Sequence, residues 1–128
     1  MATKIVIKPA QAAPALGPYN HGVRVGELLF CAGQIPIDPA HPSGPLPPDL
    51  KAQTERVLEN IKLILADQKL TFVHVVKSTV FLTNLADFAV MNEVYAKYFT
   101  ADFPARSTVQ VAALPRGAQI EIEVIAHY

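Results

Sequence analysis

The run Phe103-Pro104-Ala105-Arg106-Ser107, followed by Val109 to Pro115, carries one of four arginines in a chain that is 17% charged. A guanidinium is a planar fork that keeps its charge, and burying it is costly unless something planar and anionic docks against it. Pro104 removes a backbone donor and stiffens the approach, so Arg106 is presented from a fixed position. Two readings weigh equally on the local sequence, a structural ion pair with a glutamate of the chain and a carboxylate-binding site.

Other chemistries find less support. His21, His41, His74 and His127 are far apart, with no His-Glu-x-x-His or His-x-His spacing, so no metal is expected. His41 falls in a proline-rich loop and reads as solvated. His21, soon after Tyr19, could line a cleft but reads first as a surface or core histidine. Cys31 sits in an apolar strand, where a small buried thiol is the usual finding. No Gly-x-Ser-x-Gly elbow exists, Ser107 has no histidine partner by spacing, and no glycine-rich phosphate loop is present. No cofactor is implied.

At 128 residues the chain is expected to form one domain, 1–128. Apolar residues make up 51% of it, which is high for so small an interior, so part of that surface should be buried between subunits. Eleven basic residues balance eleven acidic ones, with no basic cluster, which makes nucleic acid an unexpected partner. No stretch is apolar enough to span a bilayer or to serve as a secretory h-region. One cysteine fits a reducing compartment, and the cytoplasm is the expected location.

The elements that must position Arg106 follow from periodicity. Lys4 to Lys8 reads as a short strand, and His21 to Ala32, broken at Gly26-Glu27, reads as a hairpin. Six prolines between Pro36 and Pro48 exclude helix and central strand there. Asp49 caps a helix in which Val57, Leu58, Ile61, Ile64 and Leu65 recur on one face. Val73 to Leu82 reads as a buried strand, and Asn84 as the cap of a second helix with the stripe Phe88, Met91, Tyr95, Phe99. Ser107 to Ala112 and Gln119 to His127 are the last strands. The order β-β-β-α-β-α-β-β gives an α+β domain, a single sheet with both helices on one face. In the last strand Ile120, Ile122, Val124 and Ala126 point under the helices. Glu121, Glu123, Ile125 and His127 point away, a mixed face that suits a subunit interface holding a polar pocket.

Six motifs lie along the chain in order: Gly17-Pro18-Tyr19, Ala32-Gly33-Gln34-Ile35-Pro36, Val76-Lys77-Ser78-Thr79-Val80-Phe81, Asn92-Glu93-Val94-Tyr95, Phe103-Pro104-Ala105-Arg106-Ser107 and Ile120-Glu121-Ile122-Glu123. From about Ala13 to the C-terminus the chain resembles the reactive intermediate deaminase (Rid, YjgF-type) family, and most of all its enamine/imine deaminase branch. That resemblance implies a chorismate-mutase-like fold and a barrel-like homotrimer with sites in the clefts between neighbours. It implies that Arg106 grips the carboxylate of a 2-imino acid, and that Tyr19, Gly33, Phe88, Asn92 and Glu121 line the same cleft, with backbone groups near Thr108 contributing. Three departures stand out. Ala32 replaces a serine common in the family, Thr108 replaces a cysteine, and Lys69 replaces the glycine that usually ends the first helix, at a cost of about 1 kcal/mol.

The function expected on this resemblance is hydrolysis of 2-imino acids such as 2-iminobutanoate and 2-iminopropanoate to 2-keto acids and ammonia, with Arg106 and Glu121 as catalytic residues. Two other classes remain: a binding protein that senses small carboxylates, and an RNA-directed ribonuclease or translation inhibitor.

Overall fold

The structure, a computed structural model, describes residues 3–128. Six strands form one mixed sheet: β1 Ile5–Ile7, β2 Gly22–Val25, β3 Leu28–Cys31, β4 Val75–Leu82, β5 Ala105–Gln110 and β6 Ile120–His127. Their spatial order is β1-β2-β3-β6-β4-β5, with every pairing antiparallel except β4 with β5. Helices α1 Leu50–Asp67 and α2 Phe88–Tyr98 connect into and out of β4 and cover one face. The expected α+β architecture is the observed one.

The hairpin turns where Gly26 adopts φ 57, a left-handed conformation that leaves Val25 opposite Leu28. Asp49 caps α1 by accepting from the Ala52 amide at 2.8 Å. Val57, Leu58, Ile61, Ile64 and Leu65 are fully buried against the sheet, opposite Val80, Leu82, Ile120 and Ile122. Two buried polar residues of α1 pin the proline loop. Gln53 donates to Pro47 O, and Asn60 donates to Ile37 O and Ile35 O.

α1 ends in a Schellman turn. The Leu70 amide bonds Leu65 O and the Lys69 amide bonds Ala66 O, which forces Lys69 to φ 59. Lys69→Gly removes that strain, and a gain of about 1 kcal/mol is expected, read as a higher urea midpoint at unchanged m-value. An unmoved or lowered midpoint would mean that the lysine sits there without penalty.

Three elements start two or more residues away from the sequence reading. Phe72–His74 is a 3-10 turn rather than the start of β4, because Thr71 and His74 form a capping box and Val73 stays exposed. Asn84 caps another 3-10 turn, Leu85–Asp87, which leads into α2. β5 runs over Ala105–Gln110, two residues earlier than expected, since it starts directly after Pro104 to pair with Lys77.

The uncovered face carries Val6, Val23, Phe30, Ile125, Lys77 and Ala105 in one row across the sheet. Val6, Leu28, Phe30 and Val109 are each 40% to 42% exposed there, a wide apolar surface for a single protomer. Glu121, Glu123 and Ile125 lie on that same face, as the alternation of β6 predicts.

Candidate functional site

Arg106 stands on β5 opposite Ser78, whose side chain faces the helices, so Arg106 lies on the helix side of the sheet. Its guanidinium carbon sits 4.8 Å from the Tyr95 ring centre and 5.5 Å from that of Phe88, both on α2. Among the described residues the one ion pair is Arg24 with Glu27, and Arg106 has no carboxylate partner. The structural ion pair, one of the two readings of this arginine, is therefore not what the protomer contains. Arg106 instead borders an open pocket of about 350 Å³ lined by Asn92, Tyr95, Ala96, Phe99, Phe103 and Pro104. Two residues along and on the same side, Thr108 buries its Oγ1 with no hydrogen-bond partner among the described residues.

Glu121 lies elsewhere. It pairs across the sheet with Phe81, on the uncovered face, where β6 begins and β3 has just ended. With Tyr19, His21, Ala32, Gly33 and Gln34 it lines a cavity of about 340 Å³. Burial pushes its carboxyl above the ordinary value, and the charge of Glu123 adds to the rise. Two strands sideways and three residues along separate it from Arg106, roughly 14 Å between Cα atoms, with the sheet between the side chains. The expected site residues thus form two half-sites in one protomer. Tyr19, Gly33 and Glu121 make one, and Phe88, Asn92 and Arg106 the other, beside Thr108.

Gly33 is shaped by Glu121. A Cβ on Gly33 would fall on Glu121 Oε2 and lie 2.8 Å from its Cδ. Gly33→Ala must push the carboxylate aside, a flexible group, so the fold survives while the acid is misplaced. A tenfold or greater loss of kcat with a nearly unchanged unfolding midpoint is expected, roughly 1.4 kcal/mol. A parent-like kcat would mean that the position of Glu121 does not matter.

Three contributors were not singled out for this chemistry from the sequence. His21 does line the Glu121 cavity: its Nε2–H donates to Ala13 O, and its Nδ1 accepts from Gln34 Nε2 at 3.3 Å, which sets the tautomer. Gln34 is buried and bridges to Ile122 through its backbone. Tyr95, read as part of an apolar stripe, forms the platform under Arg106; its spacing of three from Asn92 and seven from Phe88 was the available signal. Burial raises the Cys31 thiol to about 12, which leaves it inert at neutral pH.

The family model described as endoribonuclease L-PSP matches residues 10–128. The protein DfrA of Myxococcus xanthus is 54% identical over 118 residues, covering 91% of this chain and 89% of that one. TdcF of Escherichia coli K12, named a candidate reactive intermediate deaminase, is 44% identical, with 96% of each chain covered. Among solved structures, E. coli TdcF with bound serine superposes with a TM-score of 0.90 at 42% identity, covering 97% of this chain and 98% of that one. RidA of Psychrobacter sp. PAMC 21119 gives 0.92, also at 42%, with 97% and 99% covered.

Proposed function

We propose an activity for this chain, which belongs to the endoribonuclease L-PSP family, the YjgF/RidA group: hydrolytic deamination of reactive intermediates, with 2-iminobutanoate and 2-iminopropanoate as substrates. The observation that carries the reading is the unneutralised fork of Arg106, held on two aromatic rings at the mouth of a pocket. A carboxylate is the planar anion that such a fork accepts through two parallel charge-assisted hydrogen bonds. TdcF has been solved with serine, a small molecule with that group.

The other half-site supplies the base. Because Arg106 and Glu121 of one protomer are on opposite sides of the sheet, the working cleft joins Arg106 of one protomer to Glu121 of another. A barrel-like homotrimer closed over the apolar uncovered face is the assembly we propose. In that cleft Arg106 fixes the substrate carboxylate, and backbone groups near Arg106 and Thr108 hold the iminium nitrogen. Glu121 takes one proton of a water as its oxygen bonds to C2. The C=N π pair moves to nitrogen in that attack, and the proton then passes from Glu121 to the amine. As the C2–N bond breaks with its electron pair going to nitrogen, Glu121 takes the remaining hydroxyl proton and C2=O forms; ammonia and the 2-keto acid leave, and Glu121 returns the proton to ammonia or solvent. The residues named suffice for this sequence, and the cytoplasm, where amino-acid dehydratases release such imines, is the compartment we propose.

The test is to generate 2-iminopropanoate or 2-iminobutanoate in situ and follow keto-acid appearance with and without the protein. Acceleration proportional to protein concentration supports deamination. Tight keto-acid binding without acceleration would identify a carboxylate sensor instead. RNA affinity that falls steeply with salt would favour the nucleic-acid reading, against which the zero net charge stands.

A further inference from the structure

We infer that Tyr95 is the positioning residue for Arg106, with Ser78 as its anchor, so that the arginine is aimed by a locked aromatic face instead of by a carboxylate. This rests on Arg106 being the carboxylate-binding group. A carboxylate beside Arg106 would hold it equally well but would compete with the incoming anion for the same N–H groups. An aromatic face attracts the cation without occupying the edge of the fork. The Tyr95 ring centre lies 4.8 Å from the guanidinium carbon, and the ring is itself fixed on two sides. One face stacks on Phe99 at 4.3 Å with a 20° interplanar angle, and the hydroxyl meets Ser78 Oγ at 2.7 Å.

Ser78 is the telling residue. It is fully buried on the core side of β4, in a strand whose other core-facing positions include Val80 and Leu82. A hydroxyl there destabilises the core unless it is bonded, and Tyr95 is the partner it has. Ser78 is also the residue paired in register with Arg106 on the neighbouring strand. One side chain on β4 therefore sets the ring of α2 that sets the arginine of β5. Packing alone would be served as well by valine at 78 and phenylalanine at 95.

The experiment is a double-mutant cycle on the affinity for pyruvate or 2-oxobutanoate, with Tyr95→Leu, Tyr95→Phe and Ser78→Ala each made in the parent and in Arg106→Ala. In the parent, Tyr95→Leu is expected to weaken binding about tenfold, and Tyr95→Phe and Ser78→Ala about two- to threefold. KM should rise by more than kcat falls. In the Arg106→Ala background all three should have no further effect, because there is nothing left to aim. The Nε–Hε proton resonance of Arg106, identified by its loss in Arg106→Lys, should move toward the free-arginine position in Tyr95→Leu. If Tyr95→Leu does not fold, the two milder variants carry the cycle. Equal losses in both backgrounds, or an unmoved resonance, would overturn the inference and leave the Ser78–Tyr95 pair a matter of packing. Keto-acid binding that obeys the cycle without imine turnover would sink the deaminase reading and keep this one. Should the parent bind no keto acid, the resonance alone decides.

Discussion

Glu121→Gln is expected to lower kcat on an imine generated in situ by roughly a hundredfold or more while keto-acid affinity survives nearly intact. Glutamine keeps the size and a carbonyl acceptor but cannot take a proton at neutral pH. The site gives this change a second signature. Burial, then the neighbouring Glu123 charge, raise the Glu121 carboxyl above the ordinary glutamate range. The base must be ionised to accept a proton, so in the parent kcat/KM should fall as pH drops through that raised value, on a limb that lies above the ordinary glutamate range. In the variant the limb should vanish with the residue that titrates. Equal kcat in parent and variant would reject Glu121 as the base.

Arg106→Lys keeps the charge and discards the fork. The ammonium cannot make two parallel hydrogen bonds to a carboxylate, and its compact charge does not lie flat over Tyr95 and Phe88 as a guanidinium does. The expected loss in kcat/KM is about 1.5–3 kcal/mol, roughly ten- to a hundredfold, with KM carrying a large share. Near-parent activity would show that a point charge is enough at this position.

How much of this could be read in the sequence depends on whether the signal was local. The Asp49 cap, the hairpin at Gly26 and the apolar faces of α1 and β6 are written in neighbouring residues and stand where the pattern puts them, whereas Asn84 caps a 3-10 turn ahead of α2. The sequence reading carries β4 back to Val73 because that residue is β-branched like the strand that follows. The His74 side chain, accepting from the Thr71 amide, turns the chain there instead. The sequence reading starts β5 two residues late because Ala105 and Ser107, on its outward side, are both small and only the second is polar, which hides the alternation.

The site was legible in residue type and not in arrangement. That Arg106 and Glu121 occupy opposite faces follows only from register, since Ser78 and Phe81 of the shared neighbour β4 are three residues apart, an odd number. Tyr95 could not be told from an ordinary core aromatic until β4 was placed beside β5, with Ser78 against its hydroxyl. His21 follows Tyr19 closely enough to suggest a cleft, but the contacts that hold it over the cavity, Ala13 O and the Gln34 side chain thirteen residues away, appear only in the fold.

A cleft shared between protomers and turnover of imines within it can be tested in one measurement. Arg106→Lys and Glu121→Gln chains, each nearly inactive alone, are co-expressed in equal amounts and the mixed assemblies assayed for keto-acid formation from an in situ imine. Where the two variants adjoin in the right order, one cleft holds an intact Arg106 from one chain and an intact Glu121 from the other. Random mixing places such a pair in about a quarter of clefts, so about a quarter of the parent rate should return. Activity that stays at the average of the two separate variants would contradict the shared site.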